Sequence, residues 1–402
     1  MNDAAKTGLQ IVLPDAGGRL TTHMLREPRH FLQRQARAFT RVAYSAAHVV
    51  SDPLAAIDPT LDVAIDWDAT IAYRRHLWSL GMGVAEAMDT AQRGMGLDWP
   101  TSLELIRRTL DAARDVPDAR VASGAGTDQL APEDARSLAD VIAAYEEQIA
   151  AIEALGGRII LMASRALARI ARSPDDYAHV YAKVLAQVRE PVILHWLGEM
   201  FDPALAGYWT GRRDPAADPS HGAAMDVCAS LIASNASKID GIKVSLLDAG
   251  KEIDLRRRLP PGVKMYTGDD FNYPSLIAGD GQRHSHALLG IFDAIAPAAS
   301  AALAELADGR VDAFHEILAP TVPLSRHIFA APTRFYKTGV VFMAWLNGHQ
   351  SHFTMVGGQQ SARSLVHLAE LFRLADRAGL LADPERAVAR MQTLLALHGV
   401  AT

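Results

Sequence analysis

The sequence has a single cysteine, Cys228, in 402 residues. A lone cysteine excludes an internal disulfide and any zinc site built on paired CxxC motifs. Cys228 sits at helical spacing among Met225, Val227 and Leu231, where a free thiol acts as a small core residue. No apolar run is long enough to span a bilayer. Residues 1–20 carry Asp3, Lys6 and Asp15 and show no apolar stretch followed by a cleavage site. These absences predict a soluble, cytoplasmic chain with no membrane partner. Positive charge is not in excess either: the formal net charge is −6. That argues against a nucleic-acid partner, which needs a concentrated basic face. The one strongly basic run, Arg256–Arg258, follows a mixture of Lys, Glu and Asp and is expected to be solvated surface. Glycine is missing from Ala46-Ala47-His48-Val49-Val50-Ser51, where a dinucleotide-binding sheet would carry its fingerprint. Gly357-Gly358-Gln359-Gln360 lacks the residue order of a phosphate cradle.

Apolar residues are plentiful, at 49%, enough for a large core. Eight short apolar runs alternate with helical patterns: 42–50, 83–88, 120–123, 158–163, 192–196, 241–244, 263–266 and 286–291. Most are apolar on both faces, as buried parallel strands are. Between them, 67–80, 102–113, 132–155 and 175–188 read as helices, the third with Pro132 at its first position. Strand and helix in strict alternation imply right-handed βαβ units, and eight in succession imply closure into a (β/α)8 TIM barrel. An open doubly wound sheet is the runner-up. The tail reads as helical over 294–307, 311–317, 340–346, 361–379 and 384–398. The expected organisation is an N-terminal extension over 1–40, the barrel over 41–295 and a C-terminal helical region over 296–402.

One segment carries chemistry: Asp240-Gly241-Ile242-Lys243-Val244-Ser245. Burying an ammonium group in an apolar strand is costly, and a buried lysine lowers that cost by running neutral. The neutral amine is the form that attacks a carbonyl. At the C-terminal end of a barrel strand, Lys243 would face an active site. The competing reading is a strand-edge lysine with its head in solvent.

Several ordered segments resemble the dihydrodipicolinate synthase/N-acetylneuraminate lyase family of class I aldolases. They are Ile65-Asp66-Trp67-Asp68-Ala69-Thr70, Ser123-Gly124-Ala125-Gly126-Thr127, Leu155-Gly156-Gly157-Arg158-Ile159-Ile160-Leu161-Met162, Gly241-Ile242-Lys243, and Tyr266-Thr267-Gly268-Asp269-Asp270. The resemblance covers roughly residues 40–350. It implies a barrel, a Schiff base on Lys243, no cofactor beyond that covalent imine, and a dimer or tetramer. The sequence also departs from the family. Where the family carries two threonines for a keto-acid carboxylate, it reads Asp89-Thr90-Ala91-Gln92-Arg93, keeping only Thr90. Where the family's fourth strand ends in a proton-relaying tyrosine, it reads Ser164-Arg165-Ala166-Leu167-Ala168. Where the fifth ends in another family motif, it reads His195-Trp196-Leu197-Gly198. The resemblance is therefore to a distant, uncharacterised branch with a different substrate.

His195 replaces the lost acid/base group in this reading, since its ordinary pKa suits proton transfer near neutrality. Asp89, Thr90, Arg93, Arg165, Gly268, Asp269 and Asp270 are the candidate substrate-binding residues. Arg93 and Arg165 would bind an anion bidentately. Gly268 permits close approach, and one of Asp269 and Asp270 faces the site while the other caps the next helix. His284 and His286 flank the eighth strand, and His284 is a candidate to reach the site from its loop. Thr333-Arg334-Phe335-Tyr336-Lys337 reads either as a pocket rim or as helix packing. The functional reading is a Schiff-base lyase or aldolase acting on a small keto acid or keto-sugar-derived substrate. Two alternatives stand beside it. One is a divalent-metal-dependent barrel isomerase or aldolase using His195, Glu199, Asp202, Asp269 and Asp270. The other is a non-catalytic binding barrel.

The tail segment holding Val340, Val341, Phe342, Met343, Trp345 and Leu346 carries more apolar surface than one barrel flank needs. With the family resemblance, this predicts a homodimer or homotetramer. Light scattering at micromolar concentration checks it, and a monomer there contradicts it.

Overall fold

The computed structural model describes residues 6–32, 39–88, 93–211 and 220–400. Strands β1 (Lys6–Pro14) and β2 (Leu20–Arg26) form an antiparallel hairpin ahead of the main sheet. The eight strands that follow are β3 (Ala43–Ala46), β4 (Gly83–Glu86), β5 (Val121–Ala125), β6 (Arg158–Leu161), β7 (Val192–Leu197), β8 (Ile239–Ser245), β9 (Lys264–Thr267) and β10 (His286–Leu289). They pair in parallel in chain order, and β10 closes on β3, so the sheet is a closed barrel. Each strand falls within or overlaps one of the eight apolar runs.

The helices following β3 to β10 are α1 (Trp67–Ser79), α2 (Trp99–Ala113), α3 (Leu138–Ala154), the pair α4 (Arg165–Ile170) and α5 (Pro174–Gln187), α6 (Gly222–Ser234), α7 (Ala249–Arg258), α8 (Tyr273–Ala278) and α9 (Ile291–Ala294). Acidic side chains cap several of them: Asp66 accepts from Ala69 N and Asp98 from Thr101 N. α3 starts at Leu138, not at Pro132, because Ser137 and Asp140 form a reciprocal capping box. That box satisfies the first amide groups and fixes the start; Pro132 lies in the loop before it.

The barrel interior is filled by Tyr44, Ala46, Ala85, Ala122, Ile160, Met162, Ile193, Tyr266 and Leu288. Large and small residues interlock here. A Cβ at Gly83 would lie 2.6 Å from the Tyr44 ring, and one at Gly241 2.7 Å from the Tyr266 ring. The outward faces of the strands, such as Val84, Val121 and Ile242, join the helices in a second and larger apolar cluster that also takes in Cys228. Arg256 is not solvated surface. It is 2% exposed and donates to Leu276 O and Ser285 Oγ and to the Asp280 carboxylate. The reason is that α7 turns Glu252, Leu255 and Arg256 inward.

The tail forms α10 (Ala296–Ala307), α11 (Val311–Leu318), α12 (Val322–Ile328), α13 (Tyr336–Leu346), α14 (Leu365–Arg377) and α15 (Pro384–Leu397). Every residue of α13 is buried within this one chain. Its apolar side chains therefore leave no face for a second copy, and the oligomer expectation keeps only its support from the resemblance. The hairpin β1–β2 is tied to α14: Arg373 donates to Leu13 O and Pro14 O, and Asp376 accepts from His23 and from Arg26 N. No helix among the described residues is long and apolar enough to cross a membrane.

One buried ion pair ties β4 to its flanking helices. Arg74 of α1 donates to both oxygens of Glu86 at 2.9 Å and also to His48 O, while Thr109 of α2 donates to the same carboxylate. Both charged side chains are fully buried. Removing one partner leaves the other uncompensated, which costs about 3–5 kcal/mol. Arg74→Met should lower stability by about that amount in urea unfolding, at an unchanged denaturant slope. The double substitution Arg74→Met/Glu86→Met should recover part of the loss.

Candidate active site

In a parallel barrel every strand ends at the same face, so the side chains there converge whatever the loops do. On β7 and β8 the register sets His195 directly against Lys243, and β9 sets Tyr266 on the other side of Lys243. Strand alternation turns Gly241, Lys243 and Ser245 inward, while Ile242 and Val244 pack outward at 0% and 1% exposure. Lys243 is 3% exposed and His195 1%. The His195 imidazole lies 3.3 Å from Ser245 Oγ. Burial, and then the charge of Lys243, hold its pKa well below the ordinary histidine value. It is therefore a neutral ring at physiological pH, not the imidazolium that a proton donor of ordinary pKa would supply.

Gly268 continues the ladder, its N–H donating to Val244 O at 2.9 Å. A Cβ here would come within 2.3 Å of Ser245 Oγ, 2.7 Å of Val244 O and 2.8 Å of Lys243 Cε. The lysine stem thus passes where only glycine leaves room. The two aspartates that follow divide the work. Asp269 accepts from the backbone N–H groups of Phe271 and Asn272 and from the Asn272 amide, fixing the turn into α8. Asp270 is 3% exposed and takes Ile291 N on Oδ1 at 2.8 Å. Burial raises its pKa to about 7, while the charges of Lys243 and Lys337 pull it down.

Three further residues stand at this face, of which the sequence reading had weighed only Lys337 for the site, within its 333–337 segment. His48, just past β3, binds Asp293 through Nδ1 at 2.9 Å and through its backbone N–H at 2.7 Å. Lys337, from α13, donates to Ala46 O at 3.1 Å and lies 3.8 Å from Asp293. Asp293 is held down at about 2, burial opposing and the His48 and Lys337 charges prevailing. His48 and Asp293 follow the first and last barrel strands, so their position could have flagged them. Lys337 lies in a tail helix, in the 333–337 segment read as either a pocket rim or helix packing.

A cavity of about 430 Å³ opens beside β5, β6 and β7. His195, Met162, Thr127, Trp99, Arg93 and Arg165 are among its walls; Lys243 is not among the described residues that line it. Arg93 is 3% exposed, and its guanidinium is taken up by Asp128, Ala87 O, Gly124 O and Gln148. Arg165 uses Nε on Asp202, and its terminal nitrogens pass beside Gly94. Thr127 and Ser164 share a hydroxyl hydrogen bond of 2.6 Å at the cavity edge. Asp89 and Thr90 lie outside the described residues.

Other expected groupings do not form. His284 and His286 precede or begin β10, at the opposite end of the barrel, where His286 accepts from Val42 N and packs on Tyr266. A loop entering a parallel strand cannot reach the face where that strand ends. The five candidate metal donors are parcelled among separate partners: Glu199 with His221, Asp202 with Arg165, Asp269 with its turn, Asp270 with Ile291 N, and His195 with Ser245. Among the described residues no three His, Cys, Asp or Glu side chains are grouped to hold a metal ion. In the 333–337 segment, Thr333, Tyr336 and Lys337 are buried.

The architecture is a closed (β/α)8 barrel with helices packed at its end, and it carries a buried inward lysine on the sixth barrel strand. Solved structures share that fold. Dihydrodipicolinate synthase from Aquifex aeolicus matches at 12% identity with a TM-score of 0.62, over 85% of this chain and 99% of that one. The 4-hydroxy-tetrahydrodipicolinate synthase of Methylacidiphilum fumariolicum SolV matches at 15% and 0.60, over 88% and 99%. YagE, a prophage protein of the dihydrodipicolinic acid synthase family from E. coli K12, solved in complex with pyruvate, matches at 15% and 0.59, over 90% and 99%. At these identities the likeness establishes the fold. No curated protein matches the sequence. The chain belongs to the family described as "Protein of unknown function (DUF993)", whose model matches residues 11–400.

Gly268→Ala tests the packing around the lysine. The added methyl must displace Ser245 or the Lys243 stem. The protein should stay folded by circular dichroism while the reactivity of Lys243 toward an amine-directed label changes severalfold; unchanged labelling would contradict this geometry.

Proposed function

We propose that the protein is a Schiff-base-forming lyase or aldolase acting on a small keto acid or keto-sugar-derived substrate, with Lys243 as nucleophile. The observation that carries the reading is the burial of Lys243 on the inward face of β8, at its C-terminal end and in register with His195. The similarity of the fold to pyruvate-bound YagE supports it. In this reading the Lys243 amine adds to the substrate carbonyl, and the carbinolamine loses water to give an iminium. That cation is the electron sink for cleavage, condensation or dehydration alike.

The surrounding residues fit graded roles. His195 lines the cavity and stands beside Lys243; as a neutral ring it offers a hydrogen bond to substrate oxygen. Arg165 is the cavity arginine whose terminal nitrogens bind none of the described residues and suit an anionic group, whereas Arg93 holds the wall. Thr127 contributes a hydroxyl. Asp89 and Thr90 remain candidates from the sequence. The metal-dependent reading finds no converging donor set among the described residues, and a purely binding barrel leaves the burial of Lys243 without a use.

The test is borohydride reduction in the presence of pyruvate or dihydroxyacetone, followed by peptide mass spectrometry. The reduced adduct should appear on Lys243. Lys243→Ala should fold and give no adduct. Lys243→Arg should lose turnover altogether, since a guanidinium stays protonated and does not attack a carbonyl. A metal-dependent activity that survives Lys243→Ala would overturn the assignment.

A further inference from the structure

Four ionisable side chains are buried together at the end of the barrel: Lys243 on β8, Asp270 after β9, Asp293 on α9 and Lys337 on α13, none more than 5% exposed. Charges in such a place must compensate one another. Asp293 is committed: His48 holds it through two nitrogens, and Lys337 lies 3.8 Å away. Lys337 is also anchored on Ala46 O. Asp270 is placed differently. It follows Gly268, against which the Lys243 stem is packed. Its own carboxyl is oriented by Ile291 N on Oδ1, and its backbone carbonyl accepts from Ser325 of α12. The groups whose charge reaches it are Lys243, Lys337 and Asp269, with the Tyr273 hydroxyl of α8 also within its field.

We propose that Asp270 is the proton acceptor and donor for Lys243 during imine formation. The inference rests on the Schiff-base reading above. The steps balance. The Lys243 ammonium gives one proton to the Asp270 carboxylate, and the free amine forms a C–N bond to the substrate carbonyl carbon. A second nitrogen proton passes to the carbonyl oxygen, giving a neutral carbinolamine. Asp270 then protonates the departing hydroxyl, the C–O bond breaks, and water leaves. The products are the iminium, one water and the Asp270 carboxylate, so no oxidant, reductant or metal is required.

The choice of Asp270 over His195 follows from matching. A proton carrier works best when its affinity lies near the working pH. Asp270 is at about 7, whereas His195 is held far below its usual value by burial and by Lys243 itself. His195 is thus a poor acceptor for this lysine's proton.

The experiment measures the rate of borohydride-trapped pyruvate adduct on Lys243, in the full-length protein, as a function of pH. Asp270 must be ionised to accept the proton. The wild-type rate should therefore fall as the pH drops through about 7. Asp270→Asn keeps an acceptor for Ile291 N. It should slow trapping by about 10²- to 10⁴-fold and abolish that acid limb, with the fold intact by circular dichroism. Lys337→Met removes a positive charge that lowers the proton affinity of Asp270, so the limb should move to higher pH. A merely structural role for either residue would change the unfolding temperature and leave the limb where it is. Wild-type-like rate and pH profile in Asp270→Asn, with adduct formed on Lys243, would overturn this inference and leave the Schiff base standing. No adduct in the wild type would overturn both.

Discussion

Placing an ammonium group on the inward face of a closed barrel strand constrains everything around Lys243. The group cannot be moved to solvent, because β8 is paired on both sides and its outward positions are filled by Ile242 and Val244. Its stem needs space, and the neighbouring strand supplies it through Gly268. Its charge needs a counterpart, and Asp270 is within its field. Its charge also acts on its neighbours: burial first, and the charge of Lys243 second, hold the pKa of His195 below the ordinary histidine value. The Lys243 stem thus constrains the packing at Gly268, and its charge adds to the effect of burial on His195.

The C-terminal helices belong to the same electrostatic arrangement. α13 is buried along its whole length, and it delivers Lys337 to the end of β3. α9 delivers Asp293, and His48 links that carboxylate to the first barrel strand. A closed barrel has no free sheet edge, but its mouth is open, and here helices from the tail close one side of it with buried apolar side chains and, among them, the Lys337–Asp293 charge pair. A buried pair of this kind contributes little net stability compared with apolar packing, since desolvation offsets the attraction.

The fold was legible in the sequence because parallel barrel strands are buried on both faces. That makes them short continuous apolar runs, and eight such runs separated by helical periodicity leave few topologies. Lys243 was legible for the complementary reason: a charge inside such a run contradicts its surroundings. Legibility failed where the deciding partner is distant in sequence. Arg256 looks like one of three exposed arginines until Asp280 and Ser285 are folded against it. Lys337 pairs with residues that lie 291 and 44 positions away. His284 was misplaced for a different reason: the direction of a parallel strand decides which end of the barrel a loop joins, and a residue ahead of the strand is at the wrong end. Pro132 misled because a proline suits a first helical turn, yet the Ser137–Asp140 box satisfies more backbone donors than proline can.

The two arginines of the cavity show how much a shared residue type leaves open. Both were candidates for binding an anion, and both line the same space. Arg93 spends its donors on a carboxylate, two backbone carbonyls and a glutamine. An anion arriving there would have to displace bonds that are already charge-assisted and buried, at a cost close to what it would gain. Among the described residues Arg165 gives only Nε to Asp202, and it is about a third exposed, so its terminal nitrogens can meet an incoming group without breaking a bond to any of them. Under the proposed reading, the substrate's anionic end therefore lies toward α4 and its carbonyl toward β8, with His195 between the two as the residue that both lines the cavity and stands in register with the lysine.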